Sequence, residues 1–428
     1  MKILVVCEQF CNGGLETQIK TIAENLPKDT EMVFAFGKYT GEIELTNCII
    51  YTGFHFSYID TIKEICEDVE KLINVIESEK IDVIHVHPYY SFFSALFASQ
   101  ITHTKLFYSF HGISSFNFLK TVSSTAVFQY AFESGAIANT FAVSQDGINC
   151  MNNLSSNKVS FLPNPIDLNV FKIANVCQNR KWALISRLDE DKTGDIKMLI
   201  NDLDKFEIDE LDIYGSGTEM ENLQTFIDEV HLHDKVVLKG YCKDIYHTLN
   251  NHYRGVIGTD RVLIEAMAMG YPTILIGYNK INGFVNKKIF DLIKTNNFNN
   301  IHLSMQNYIM PNEEEIATIT NEVRSSYSSQ KIVASYLDTI KSSDSTFMQN
   351  ICNLYLEIKK LSENPSINMC SFQKERLVYD LIYTYIGKYT LTKETSNLFA
   401  QANLTYDLYD LLTNRLLELK GIIKDDEN

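Results

Sequence analysis

Residues 159–186 read VSFLPNPIDLNVFKIANVCQNRKWALIS. Val159–Leu162 and Trp182–Ser186 are short apolar runs of strand type. Between them, Pro163, Asn164 and Pro165 break the chain, and Asp167–Arg180 reads as a connection. The same alternation of apolar run and amphipathic stretch exists on both sides of this break. Upstream, strands are expected at Lys2–Val6, Met32–Phe36, Cys48–Tyr51, Ile81–Val86, Leu106–Phe110 and Phe141–Val143. Helices are expected at Leu15–Leu26, Asp60–Glu79, Phe92–Ile101 and Thr121–Ala136. Downstream, strands are expected near Leu211–Tyr214, Val236–Lys239, Gly255–Ile257 and Thr273–Ile276. Strand and helix in alternation imply βαβ units and a parallel sheet. Two such series imply an α/β protein with two Rossmann-like domains facing each other across a cleft. The expected bounds are 1–165 and 177–320, a crossover helix at 321–341, and a helical extension at 342–428.

Composition agrees. At 428 residues the chain is long enough for two or three domains. Only 19 glycines and 7 prolines argue for many helices and against an all-β or fibrous protein. The formal charge of −16 argues against a nucleic-acid partner, because phosphate neutralisation needs a basic surface. The first arginine is Arg180, so the N-terminal half offers no basic face for anionic lipid. The longest stretch without a charged residue, Val83–Thr104, is interrupted by His85, His87, Pro88 and Gln100 and does not read as a membrane span. Nine cysteines, none in C-x-x-C spacing, read as reduced thiols in a cytoplasmic protein rather than a metal or disulfide frame.

The chemistry-bearing residues cluster where strands end and helices begin, where open α/β sheets bind ligands. Gly13 and Gly14, with Glu16, follow the first strand; they suit a backbone approach to a ligand, or simply a tight turn with Glu16 favouring the helix dipole. His85 and His87 are two apart on a strand and point the same way. Either reads as a core histidine or a cleft residue, with His87 favoured for the cleft. His111 and Gly112 follow the next strand. Arg187 and Lys192 follow the strand at Trp182–Ser186, a fork and a point charge suited to a diphosphate. Asp189, Glu190 and Asp191 between them read as a solvated loop. Gly215 and Gly217 form another strand–glycine–helix junction, and Asp260 reads as the N-cap of a helix carrying Glu265.

In order and spacing these features resemble the retaining GT-B glycosyltransferases of the family 4 type (glycosyl transferases group 1). The resemblance rests on Gly13-Gly14-x-Glu16, His85/His87, His111-Gly112, Val143-Ser144, Pro163-Asn164, Arg187-Leu188 with Lys192, Gly215-x-Gly217, Gly240 and Glu265-Ala266-Met267-Ala268-x-Gly270-x-Pro272. It covers roughly residues 1–341. It implies a metal-independent hexosyltransferase, without a cofactor, that moves a sugar from a nucleotide-sugar donor with retention. By family frequency the donor would be a UDP-sugar. Arg187 and Lys192 would hold the donor diphosphate and, with His111 near the transferred sugar, form the catalytic set. Gly14, Gly215 and Tyr241 would line the donor, the helix start at Arg261, Val262 and Leu263 would add backbone donors, and Glu265 would bind the ribose. Gly13, Gly14 and His87 would face the acceptor. One departure is Ile257, which stands where the family often carries a second glutamate. It leaves room for a catalytically weak partner subunit, and the fold also admits a sugar-nucleotide epimerase. The lack of a basic residue in 121–136 favours a soluble protein or glycan acceptor over a lipid carrier. Leu377, Leu381, Ile382 and Tyr385, then Leu404, Leu408, Leu412, Leu416, Leu419 and Ile423, recur at helical spacing. These stripes are expected either to pack on the neighbouring domain or to form a homo-oligomer or acceptor interface.

Overall fold

In the computed structural model, residues 1–363 are described apart from 12, 42, 58–61, 89, 113–114, 116–121, 155–157, 243 and 251, together with 381 and 384–386. The chain divides into two compact units, residues 1–162 with 334–428, and residues 163–333.

The first unit is built on seven strands: β1 (Lys2–Phe10), β2 (Glu31–Tyr39), β3 (Ile49–Tyr51), β4 (Val83–Val86), β5 (Lys105–Phe110), β6 (Ile137–Ala142) and β7 (Val159–Phe161). They lie in the order β3-β2-β1-β4-β5-β6-β7, all parallel. The helices between them are α1 (Gly14–Glu24), α2 (Ile62–Glu79), α3 (Ser91–Thr102), α4 (Val122–Glu133) and α5 (Gln145–Leu154). Strand residues alternate between the two faces. Leu4, Val6, Ile84, Val86 and Tyr108 pack against Val69, Leu72 and Ile76 of α2 and Ala95 and Leu96 of α3. A sheet covered on both faces needs continuous apolar strands, which is why β1 and β4 carry no polar–apolar alternation.

The second unit holds β8 (Lys181–Ile185), β9 (Glu210–Tyr214), β10 (Val236–Gly240), β11 (Gly255–Gly258), β12 (Thr273–Gly277) and β13 (Lys280–Phe284). Their order is β10-β9-β8-β11-β12-β13. Strand β13 is antiparallel to β12 and was not foreseen from the sequence, where Lys280-Ile281-Asn282-Gly283-Phe284 has too few apolar residues to stand out. The turn before it needs left-handed backbone at Tyr278 and Asn279, with φ of 52° and 59°. The helices are α6 (Glu190–Asn201), α7 (Met220–Glu229), α8 (Ile245–Leu249), α9 (Arg261–Ala268), α10 (Lys287–Ile293) and α11 (Glu313–Ser326). Helix α12 (Ser329–Ser342) carries the chain back to the first unit.

Of the two readings for 342–428, the start of the segment agrees with packing against a neighbouring core. Helix α13 (Gln349–Ser362) buries Ile351, Leu354 and Tyr355 in the first unit's core, and Leu381 and Tyr385 pack against the same core. Leu377, Ile382 and the stripe from Leu404 to Ile423 lie outside the described residues.

Candidate functional site

Both sheets have a topological switch point, where consecutive connections leave to opposite sides and open a crevice at the strand C-termini. In the first unit it lies between β1 and β4, and in the second between β8 and β11.

At the β1–β4 switch, Gly13 occupies the N-cap position of α1 and Gly14 its first turn. A Cβ on Gly13 would sit 2.7 Å from Glu16 Oε2. Glu16 does more than favour the helix dipole: its Oε1 accepts the Cys11 N–H across 3.3 Å and ties the loop to the helix. His87, just past β4, is corrected from a cleft residue to a buried one at 2% exposure. Its Nδ1 lies 3.1 Å from Nε2 of half-buried His111. Ser115 Oγ accepts the His111 N–H at 2.9 Å. His85 is a satisfied core histidine, bonded to Tyr336 Oη at 2.9 Å and Ser109 Oγ at 2.8 Å. Burial lowers the pKa of all three rings, His85 to about 3, His111 to about 4 and His87 well below the ordinary value.

At the β8–β11 switch, Ser186, Lys192 and Asp195 from the β8 side and Gly258 and Thr259 from the β11 side line one small cavity with Ile276 and Gly277. Lys192 Nζ sits 5.0 Å from the centroid of the Tyr278 ring. Arg187 is exposed but not unattended: Asp189 Oδ2 accepts from it at 2.6 Å and Asp191 Oδ2 at 3.3 Å. Asp189 and Asp191, read from the sequence as a solvated loop, are therefore ion partners of Arg187, the residue expected to hold the diphosphate. Asp189 Oδ1 also accepts the Thr218 N–H, which stitches the loop before α6 to the loop before α7. Gly215 is required by packing, since a Cβ there would meet the Ser186 carbonyl oxygen at 1.9 Å. Tyr241, past β10, is 53% exposed.

Helix α9 starts directly after this cavity, and its first N–H groups have no acceptor within the helix. Leu263 is fully buried and Val262 partly buried. Arg261 donates from Nε to Glu265 Oε1 at 2.7 Å and reaches the Pro165 carbonyl. Glu265 is 2% exposed, and its Oε2 has no hydrogen-bond partner among the described residues. Burial raises its pKa, and Arg261 opposes the shift. Asp260 departs from the expected N-cap. It holds the position with φ 53° and ψ −125° and makes no side-chain cap. Its Oδ1 instead accepts from Asn297 at 3.3 Å, and Asn297 Oδ1 accepts from Asn164. Burial pushes its carboxyl up to about 6 against the pull of Lys192. Ile257 is a residue of β11 and lies in the second unit's core. Asp260 and Tyr278 were missed as neighbours of Lys192; the chain distance between the three hid them.

Among the described residues, no group of three or more His, Cys, Asp or Glu side chains is placed to hold a metal ion. None of the helices there is long and apolar enough to cross a membrane.

Residues 12–170 match the family model Glycosyltransferase Family 4. No curated protein matches the sequence. Among solved structures, Anabaena Alr3699/HepE in complex with UDP and glucose is 18% identical with a TM-score of 0.56, over 80% of this chain and 100% of its own. The lipopolysaccharide outer core galactosyltransferase WaaB in its apo form is 15% identical with a TM-score of 0.55, over 80% of this chain and 99% of its own. A putative UDP-N-acetylglucosamine 2-epimerase from Listeria monocytogenes is 13% identical with a TM-score of 0.50, over 80% of this chain and 96% of its own. At these identities the likeness speaks for the fold. The chain has the α/β fold of the GT-B glycosyltransferases, with two parallel-sheet Rossmann-like units, and carries a match to glycosyltransferase family 4 over residues 12–170.

Proposed function

We propose that the protein is a retaining, metal-independent glycosyltransferase that moves a hexosyl group from a UDP-sugar to a soluble protein or glycan. The observation that carries this reading is the convergence of Lys192, Ser186 and Thr259 on one cavity at the β8–β11 switch, directly before the start of α9. An ammonium and the N–H groups of a helix N-terminus together suit a diphosphate. The match over residues 12–170 and the fold of the UDP-bound relative support it.

In this reading Lys192, Arg187 and the N–H groups of Arg261, Val262 and Leu263 hold the diphosphate and stabilise charge as it departs. Those donors act without reorganisation, so two cations and a helix terminus do the electrostatic work often given to a divalent ion. Glu265 Oε2 accepts a ribose hydroxyl, which satisfies its buried oxygen. Gly215 supports the diphosphate loop through its packing on Ser186, and Tyr241 flanks the base. His111 contacts the transferred sugar. Gly13 and Gly14 line the acceptor side, and His87 acts there through His111. The leaving phosphate assists a front-face displacement with retention.

The test is a panel of nucleotide-sugars assayed for binding and for donor hydrolysis with the purified protein, with and without EDTA. Binding and turnover of a UDP-sugar that survive EDTA support the reading. A UDP-sugar converted to an isomer with no acceptor present would instead favour the epimerase whose fold the chain shares. Absence of binding to every donor would sink both and favour a partner-subunit role.

A further inference from the structure

His85 in β4 and His87 just past its end bring their rings together, with centroids 4.3 Å apart. Beyond His87 stands His111, with 3.1 Å between His87 Nδ1 and His111 Nε2. Behind His85 stands Tyr336 from α12, whose hydroxyl lies 2.9 Å from His85 Nδ1. The four side chains come from three separate parts of the first unit and form one continuous column.

Hydrogen-bond inventory fixes much of its proton arrangement. Tyr336 is fully buried, and among the described residues its hydroxyl has no second hydrogen-bond partner. A phenol that accepted from His85 would bury its own O–H unsatisfied. Tyr336 therefore donates to His85 Nδ1. His85 then carries its proton on Nε2 and donates to Ser109 Oγ, 2.8 Å away. Both nitrogens of His85 are committed, so it meets His87 through its ring face. The Phe141 ring closes the same side, 5.3 Å from His85 and 5.2 Å from Tyr336.

Between His87 and His111 one proton is shared, so the two tautomers are tied together. If His87 donates from Nδ1, the remaining nitrogen of His111 is a donor; in the reverse case it is an acceptor. Either way His111 is not free to choose.

We propose that His87 is a positioning residue, held in place by the Tyr336–His85–Ser109 clamp, that ties the tautomer of His111 to its own and holds the orientation of that ring. The proposal rests on the transferase reading only for the role of His111 at the sugar. The titratable groups facing the column are His85 and His87 from β4, His111 after β5 and Tyr336 from α12. Burial disfavours charge on each imidazole, so His111 serves as a neutral hydrogen-bonding group across the physiological range.

The experiment is nitrogen-15 NMR of the imidazoles in the full chain, paired with donor kinetics for His87→Leu, His87→Asn and Tyr336→Phe. In the wild-type protein His85 should be a single Nε2–H tautomer, unchanged between pH 5.5 and 8. Tyr336→Phe should convert His85 to a mixture. His87→Leu should make His111 a tautomer mixture, and lower kcat about tenfold with donor KM within about twofold. His87→Asn, whose amide nitrogen stands near the place of Nδ1, should restore both. Unchanged His111 signals in a folded His87→Leu protein would overturn the proposal. So would a His87→Asn protein as impaired as His87→Leu, or wild-type His85 in the Nδ1–H form. If the tautomers behave as stated and no donor is turned over, the transferase reading fails while the column stands.

Discussion

Arg261 and Glu265 face each other one turn apart on α9, Nε to Oε1 at 2.7 Å, with side chains only 11% and 2% exposed. Such a pair contributes little net stability when intact, but removing one partner strands a buried charge. Arg261→Ala should therefore destabilise the second unit by about 3–5 kcal/mol. Arg261→Ala with Glu265→Gln should recover part of the loss, because no uncompensated carboxylate is left. Chemical denaturation of the two variants beside the wild-type protein checks this; equal losses in the single and double variants would count against it.

Lys192 and Arg187 should not be equivalent. Lys192 lines the cavity, and its ammonium lies over the Tyr278 ring. Arg187 is already ion-paired to Asp189 and Asp191. Loss of a charge-assisted contact costs about 1.5–3 kcal/mol, so Lys192→Ala should lower kcat/KM by roughly 10- to 150-fold. Arg187→Ala should cost less. Asp191→Asn, which frees Arg187 from one competing carboxylate, should tighten UDP binding severalfold. Calorimetry with UDP measures this directly, and weaker binding by Asp191→Asn would show that the loop carboxylates are not competitors.

Asp260 adopts φ 53° with ψ −125°, a region that favours glycine. Asp260→Gly should raise the stability of the second unit by about 1 kcal/mol at pH 4 through relief of strain, and by more at pH 8 because the buried charge is removed as well. Asp260→Asn keeps the strain but removes the charge. Its benefit should be absent near pH 4 and grow as pH rises through 6, because the folded-state pKa of about 6 lies above the unfolded value. Melting curves of both variants at pH 4 and 8 separate the two effects; an Asp260→Asn gain equal at both pH values would refute the second.

The first unit should respond to acid in the opposite sense. His85 and His111 are held to about 3 and about 4, and His87 well below its ordinary value. Protonation therefore favours the unfolded chain, and stability present above pH 6.5 is lost as pH falls toward 4. Each ring contributes at most about 1.4 kcal/mol per pH unit in that window. Tryptophan fluorescence reports the second unit through Trp182, the chain's single tryptophan. Hydrogen exchange of β4 and β5 reports the first. Exchange there that does not speed up between pH 6.5 and 4.5, after correction for intrinsic rates, would refute this.

A chain ending at residue 341 should fail to fold stably, because it loses Ile351, Leu354 and Tyr355 from the first unit's core. Deleting such large buried side chains costs several kcal/mol in total. A soluble 1–341 protein with an unchanged melting temperature would show that α13 is dispensable.

The sequence by itself determined the alternation of strand and helix, the break at Pro163–Pro165 and the junctions that carry Gly13, His111, Lys192 and Glu265. All of these are local: apolar runs, breakers and short spacings act between chain neighbours, and the observed strands fall where those signals lie. Strand β13 escaped because its pairing with β12, rather than its own pattern, makes it a strand. Only the tertiary structure decided which side chains are available. His87 reads as a cleft residue until β5 brings His111 against it, and His85 is settled by Tyr336, 251 positions away. Arg187 reads as a free cation until Asp189 and Asp191 turn back onto it. Burial and hydrogen-bond partners are set by segments far apart in the chain, so spacing can place a residue at a strand end without saying what it will touch.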